Sequence, residues 1–181
     1  MVKHKVYIVL SIKTLTPFYV KSAFFLSKAG KRHLRMDRII KEKISADHLL
    51  YVSLKYTKTS EVIVNLILRW TTMMDYSFER MLQHAKKKKM IKLIPNSPKP
   101  KIDLLKEIFK NKKEVMDTIE LYDMFRRIDE LKKESEGEFR KNVALKVYYR
   151  GDIIKVNLDK LKEYSIILEK FINYLKQFLS S

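Results

Sequence analysis

Three basic side chains in the middle of the chain combine residue types and a spacing that could do chemistry. Arg69, Arg80 and His84 fall on one predicted helix, within about 60° of one another at 100° per residue, beside or within its apolar arc. A basic group at such a position must reach solvent, find a partner or line a cleft, because an unpaired buried charge is costly. Arg80 and His84 are therefore the candidates for a functional arginine–histidine site.

Two residues of a second predicted helix lie near the apolar arc of that helix. Arg126 and Asp129 are close enough along this helix for Arg80 to meet both of them across a helix interface. Three interpretations stay open. The residues form an ion pair that fixes the register of two helices, they line a cleft with a functional site, or the assumed helical phase is wrong and they do not face each other. Arg69, Arg126 and Asp129 are thus expected to form a structural polar pair or to line a cleft.

A run of four lysines follows the first of these helices. Lys86, Lys87, Lys88 and Lys89 stand where cations interact favourably with the exposed carbonyls of a helix C-terminus. A phosphate-contacting patch for nucleic acid is the alternative interpretation of the same run.

The sequence lacks the motifs of metal binding, nucleotide binding and covalent catalysis. It has no cysteine, and its glycines stand only at positions 30, 137 and 151, which leaves no glycine-rich phosphate loop. The histidines show no metal-ligand spacing, and no serine occupies a nucleophile elbow. We expect no metal and no cofactor.

The net charge of +18 is unevenly distributed along the 181 residues. Residues 1–35 carry eight lysines and arginines and no acid, residues 85–101 carry seven lysines and no acid, and the rest is nearly neutral. Residues 1–35 are interpreted as a basic N-terminal segment, either a disordered arm or an extension of the gene model before Met36. The uncharged runs in this segment are too short for a membrane helix, so no membrane contact is expected.

Apolar spacing predicts that residues 36–181 form a single, mostly helical domain. Prolines at 95, 98 and 100 forbid a continuous helix and predict a connecting loop over residues 86–101. The first expected helix covers residues 46–56 and is capped by Ser45. After a break at 57–59, Thr59 or Ser60 caps a longer helix that runs to about Ala85, and two more helices cover 102–110 and 112–133.

A small β-hairpin is predicted near the C-terminus. After a polar break at 134–137, apolar residues alternate from Phe139 to Tyr149, and a return strand follows over 153–156. A last helix then begins at Asn157 or Asp159. The predicted fold is an up-and-down helical bundle with a small β-hairpin inserted before the C-terminal helix, and the hairpin should pack against the bundle.

Three parts of the chain carry a resemblance to a known family. They are ADHLLYVSLKYTKTSEVIVNLILRW, the proline-broken loop, and IDELKKESEGEFRKNVALKVYYRGDIIKVNLDKLKEY. Over about residues 45–178 the chain resembles small archaeal proteins of the HEPN type. The resemblance implies a helical bundle, usually dimeric, that accompanies a minimal nucleotidyltransferase or acts as a metal-independent ribonuclease. The ribonuclease branch carries Arg-x4–6-His on a late helix, where arginine stabilises phosphate charge and histidine transfers a proton. This sequence offers Arg80-x3-His84 on an early helix.

That departure favours a non-catalytic function. We expect a helical dimerisation or partner-binding module of HEPN-like type. Its partner is either a second copy of the chain, in a homodimer, or another protein, and a nucleotidyltransferase is one candidate. The alternative is an RNA-binding protein or a metal-independent ribonuclease that uses Arg80 and His84, with Lys86 to Lys89 guiding RNA. The absence of cysteine fits a reducing interior, so a cytoplasmic location is expected.

Overall fold

The computed structural model describes the backbone of residues 28–181 and the side chains from Met36 onward. The predictions for the basic segment 1–35 concern residues outside the part described with side chains. The described chain is mostly helical, with five helical segments and one three-stranded antiparallel sheet before the C-terminal helix. None of its helices is both long and apolar enough to span a bilayer. The elements are α1 (Lys28–His48), a π-helical turn (Leu49–Ser53), α2 (Leu54–Thr57), α3 (Ser60–Lys87), α4 (Pro98–Ile108), α5 (Lys113–Phe125), β1 (Lys133–Glu136), β2 (Ala144–Tyr149), β3 (Asp152–Asn157) and α6 (Leu158–Ser180).

The first helical segment is continuous through α1, the π-helical turn and α2. The prediction that Ser45 begins a helix is therefore wrong, because no proline or glycine between Lys31 and Lys58 interrupts the helix before that point. The predicted break is confirmed. Lys58 adopts a left-handed conformation with φ of 52°, and Thr59 is extended, which separates this segment from α3.

The core lies between α3, α5, α6 and the inner face of the sheet. Trp70 of α3 stacks on Phe125 of α5 with ring centroids 5.9 Å apart, and Tyr164 of α6 meets the same phenylalanine edge-on at 5.3 Å. These aromatic contacts join the three helices in one place and add to the stabilisation from apolar burial.

The connection after α3 is shorter than predicted. α4 begins at Pro98, so the predicted loop over 86–101 is wrong at its C-terminal end. Proline is favourable in the first turn of a helix, because the backbone N–H that it lacks has no partner there. Pro98 and Pro100 therefore start α4 instead of preceding it.

The helix predicted over 112–133 ends at Phe125, and the chain continues in turns to Leu131. Residues 133–136 then form β1, where the sequence predicted a polar break. β1 pairs with β2 in the register Lys133↔Val147 to Glu136↔Ala144. The partly exposed Glu136 carboxylate also pairs with the ammonium groups of Lys146 at 3.0 Å and Lys155 at 2.8 Å, which adds a modest cross-strand contribution.

The β-hairpin between β2 and β3 is confirmed. Arg150 and Gly151 form its two-residue turn with positive φ angles of 55° and 91°, the geometry that matches the twist of paired strands. Phe139 does not belong to the strand as predicted: its φ is 62°, its side chain is 76% exposed, and β2 begins only at Ala144. Asn157 caps α6 by accepting a hydrogen bond from the Lys160 N–H at 2.9 Å.

Candidate functional site

The two candidate catalytic side chains lie in the last half of α3, where Arg80 is buried and His84 is partly buried. Arg80 is only 8% exposed and lines a cavity of about 230 Å³ together with Arg38 and Glu79. His84, one turn later, packs edge-on against the ring of Phe178 with centroids 4.9 Å apart, and its Nε2 is buried without a hydrogen-bond partner. A proton-transferring group must reach the atom that it serves, and this ring nitrogen does not reach solvent.

The environment of His84 favours the neutral imidazole. Burial lowers the pKa of His84 below its usual value, and the positive charges of Lys88, Arg80 and Lys87 lower this pKa further. The structure thus brings Arg80 and His84 close enough to interact electrostatically, in a setting where the histidine acts as an apolar ring against α6.

The four lysines at the C-terminal end of α3 are exposed, as both of their interpretations require. Lys86 and Lys87 form the last turn of the helix, and the Lys88 N–H donates to the carbonyl of His84 at 2.9 Å. The Lys88 ammonium donates to Ser181 at 2.9 Å, and Lys89 adopts a left-handed conformation with φ of 59°. These contacts place the run at a helix C-terminus, where the cations oppose exposed carbonyls.

The three remaining candidate residues occupy separate places. Arg69 pairs with Glu42 of α1 at 3.1 Å on the surface. Arg126 follows the end of α5, and its guanidinium lies over the ring of Tyr122 at 5.8 Å. Asp129 is exposed in the turns after α5, and neither Arg126 nor Asp129 has an ion-pair partner among the described side chains.

Arg126 lines a polar groove in which Asp75 and Asp123 already accept hydrogen bonds. The Tyr122 hydroxyl donates to the Asp75 carboxylate at 2.5 Å. Asp75 as a whole is exposed, but its carboxyl group faces the protein, and this burial raises the pKa of Asp75. At the other end of the groove, Asp123 accepts hydrogen bonds from Tyr149 at 2.7 Å and Arg150 at 2.5 Å. These bonds tie α5 to α3 and to the β2–β3 hairpin, so the groove has a structural explanation.

A different surface combines an open apolar cavity with a ring of positive charge. We call it the lysine-rimmed pocket: it has a volume of about 490 Å³ and is formed where the π-helical turn, α2, the β1–β2 loop and the first turns of α6 meet. Its apolar lining is supplied by Leu50, Tyr51, Leu54, Val143 and Leu158, and its rim by Lys55, Lys58, Lys141 and Lys162.

The apolar lining has a buried floor and exposed walls. Leu50, Leu54 and Val143 are at most 5% exposed and belong to the core, whereas Tyr51 and Leu158 are 55% and 38% exposed. A concave apolar surface of this size, with convergent polar groups around it, is typical of a binding site. Its chemistry is that of recognition, because it contains neither a nucleophile with an adjacent base nor a carboxylate.

The sequence analysis did not identify this pocket. Leu50 and Leu54 stand four residues apart, the spacing of one helical face, but this spacing does not anticipate the π-helical turn that begins at Leu49. The neighbouring apolar residues Tyr51, Val52 and Tyr56 were the available signal, since three such side chains near one another exceed what a single buried helix face needs.

Within residues 36–181 no group of three or more histidine or acidic side chains is arranged to hold a metal ion. The chain matches no protein-family model, and searches of curated proteins and of solved structures find no match either.

Proposed function

We propose that this protein is a non-catalytic module that binds a partner protein through the lysine-rimmed pocket. The observation that carries the proposal is the pocket itself: an open apolar cavity of about 490 Å³ whose floor is continuous with the core. A partner that inserts an apolar side chain would bury this surface without requiring a rearrangement of the fold.

The exposed apolar residues around the pocket support this proposal. Tyr51 and Leu158 form its walls, and Tyr56, on the adjoining α2, is 73% exposed. Tyrosine is enriched among the residues that dominate interface energies, because it buries a large area at a low cost in side-chain entropy. Covering these apolar residues would favour association by roughly 25 cal/mol per Å² of buried apolar area, which offsets part of the entropy cost of binding.

The positions of Arg80 and His84 support a function without catalysis. A ribonuclease that used this pair would need both side chains at an RNA phosphate, whereas Arg80 is 8% exposed and the His84 Nε2 is buried. We therefore expect that the full chain does not cleave RNA in EDTA. Cleavage that disappears in His84→Ala would contradict this expectation.

Several finer features belong to the same proposal. They are an up-and-down bundle of HEPN-like type, a cytoplasmic location and a nucleotidyltransferase as one candidate partner. The mutual packing of α3, α5 and α6 supports the bundle arrangement. An experimental structure with antiparallel axes for successive helices among these three would agree with it.

Site-specific photo-crosslinking tests the proposed partner binding. A benzoylphenylalanine replaces Tyr51 in the full chain, expressed in its native host, and a second variant carries it at Leu93, which is 74% exposed beyond the opposite end of α3. We expect a discrete protein adduct from position 51 and none of the same mass from position 93. Adducts that are equal at both positions, that contain RNA, or that are missing at position 51 would refute the proposed function.

A further inference from the structure

We infer that the occupant of the lysine-rimmed pocket is an acidic amphipathic segment of a different protein, which inserts an apolar side chain and sets carboxylates against the rim. This inference rests on the proposed function and specifies the chemistry of the partner. It follows from the floor, the rim and the way in which the fold holds them.

The floor of the pocket fits an aliphatic or aromatic side chain. Leu50, Leu54 and Val143 present only carbon atoms from their side chains, and the walls Tyr51 and Leu158 are open enough for a partner to cover. A segment with apolar residues three and four positions apart is suited to such a groove, because an amphipathic helix presents them on one face.

The rim selects the charge of the partner. Lys55, Lys58, Lys141 and Lys162 come from three separate parts of the chain, and none of the nine lining residues is acidic. None of the four lysines makes an ion pair with a described side chain. Four like charges around an apolar cavity repel one another, and carboxylates from a partner would relieve that repulsion.

Two of these lysines are held in place by backbone contacts. The carbonyl of Lys58 accepts a hydrogen bond from the Phe139 N–H at 2.8 Å, which fastens the end of α2 to the loop that carries Lys141. The same loop is attached to α3, because the Ser60 N–H donates to the Glu138 carboxylate at 3.1 Å. The backbone that carries Lys58 and Lys141 is therefore positioned before a partner arrives, and binding need not order this part of the chain.

The start of α6 adds to the same preference. Leu158 is the first residue of α6 and lines the pocket, so the positive end of the helix dipole lies beside the rim. Lys162 stands one turn further along the same helix. Asp159 in the same first turn offsets part of this dipole, so the preference for an anionic partner is carried mainly by the four lysines.

The charge of the rim argues against a second copy of this chain as the occupant. In a two-fold symmetric dimer the same surface patch meets itself, so a contact through the pocket would oppose lysines to lysines. Like charges brought together in an interface are unfavourable by several kcal/mol. A different protein, with acidic residues flanking its apolar anchor, avoids this repulsion.

Fluorescence anisotropy with synthetic peptides tests the inference on the full chain. The probe is a helical peptide of about 16 residues with leucines at three- and four-residue spacing and glutamates elsewhere. A second peptide has lysine at every glutamate position, and a third keeps the glutamates and has alanine for leucine. We expect the glutamate–leucine peptide to bind at least about tenfold more tightly than either control, with an affinity that falls between about 50 and 300 mM salt.

Charge reversal at the rim provides the matched comparison. Lys55→Glu with Lys141→Glu is expected to weaken binding of the glutamate–leucine peptide at least about tenfold. Lys92→Glu with Lys110→Glu changes the net charge equally at exposed positions outside the pocket and is expected to leave the affinity within about twofold. Circular dichroism of both double variants shows whether each is folded. Tyr51→Phe is a conservative variant, because it keeps the aromatic ring that forms one wall of the pocket.

Each outcome has a distinct meaning. Equal binding of the glutamate and lysine peptides, or equal weakening by both double variants, would overturn the inference. Displacement of the bound peptide by a single-stranded RNA oligonucleotide at similar affinity would overturn it in favour of nucleic acid. A dimer in light scattering that Tyr51→Ala abolishes would overturn it in favour of a second copy. A protein crosslink at position 51 without selectivity for the acidic peptide would leave the proposed function intact and refute the inference alone. If neither the crosslink nor the peptide selectivity is found, the proposed function and the inference are both refuted.

Discussion

Asp123 should act as the main polar connection between α5 and the β2–β3 hairpin. Its carboxylate accepts hydrogen bonds from Tyr149 at 2.7 Å and Arg150 at 2.5 Å, and it lies 3.5 Å from Arg127 in the turns that follow α5. We predict that Asp123→Asn lowers the free energy of unfolding by about 1–2 kcal/mol, because a hydrogen bond to a charged group contributes about 1.5–3 kcal/mol when it is shielded from water. The Asp123 side chain is 44% exposed, which places the expected value at the lower end.

The separate contributions follow from exposure. Tyr149 is partly buried, so its bond with Asp123 should give a coupling energy of about 1 kcal/mol in a double-mutant cycle with Tyr149→Phe. The Arg150 side chain is 69% exposed, so its cycle with Asp123 should give less than about 0.5 kcal/mol despite the shorter distance.

The pH dependence of this effect has a defined sign. The hydrogen bond from Tyr149 lowers the pKa of Asp123 below its usual value, with further lowering by Arg127 and Arg150. The stabilisation is therefore fully present above the unfolded pKa of 3.8 and is lost as the pH falls through the lower pKa of the folded protein. The difference between wild type and Asp123→Asn should be constant from about pH 7 to 5 and shrink below about pH 4.

Urea unfolding measures both the magnitude and the cooperativity. The chain has one tryptophan, Trp70, which is 2% exposed and stacks on Phe125 of the same helix as Asp123, so its fluorescence reports on the docking of α5. Circular dichroism follows all helices in the same samples. A coupling energy with Tyr149 below about 0.3 kcal/mol, or a larger effect from Arg150→Ala than from Tyr149→Phe, would refute the reasoning.

Three further predictions concern stability. Asn157→Ala should cost about 1 kcal/mol in chemical denaturation because α6 loses its cap, while Asn157→Asp keeps the acceptor and should restore most of it. Because burial lowers the pKa of His84, protonation should destabilise the fold below about pH 6.5, by at most about 1.4 kcal/mol per pH unit, and an unchanged slope in His84→Phe would contradict this. Phe125→Ala should cost about 3–5 kcal/mol by urea unfolding, since this fully buried ring also contacts Tyr164, whereas Ile153→Ala, at 60% exposure, should stay within about 0.5 kcal/mol.

The apolar periodicity predicted α3, α6 and the β2–β3 hairpin because each has an unambiguous pattern and a clear boundary. α3 follows a left-handed Lys58, and α6 follows the cap at Asn157. β1 could not be predicted in this way. Its sequence Lys-Glu-Ser-Glu has no apolar face, and it becomes a strand by backbone pairing with β2, a long-range contact that its own sequence does not signal.

The candidate site was predictable only in its residue types. The helical arc correctly indicated that Arg80 lies on the buried side of α3, but a helical projection cannot show how much of a side chain the next helix covers. The lysine-rimmed pocket depends on Lys55, Lys141 and Lys162, which are far apart in the sequence and meet only after the helices and the sheet have packed. Local sequence patterns carry no information about which distant residues become neighbours in the fold.

Because of the π-helical turn at Leu49–Ser53, the shape of the pocket depends on the number of residues in the first helical segment. One residue more than an α-helix needs shifts the side chains that follow the turn by about 100° around the axis, so Lys55 and Lys58 point in directions that continuous α-helical winding would not give them. Removing a single residue, such as Val52, would return the segment to ordinary α-helical winding and move Lys55 and Lys58 away from Lys141. A binding surface encoded in this way is sensitive to chain length, so insertions and deletions in this helix would alter it more than most side-chain replacements.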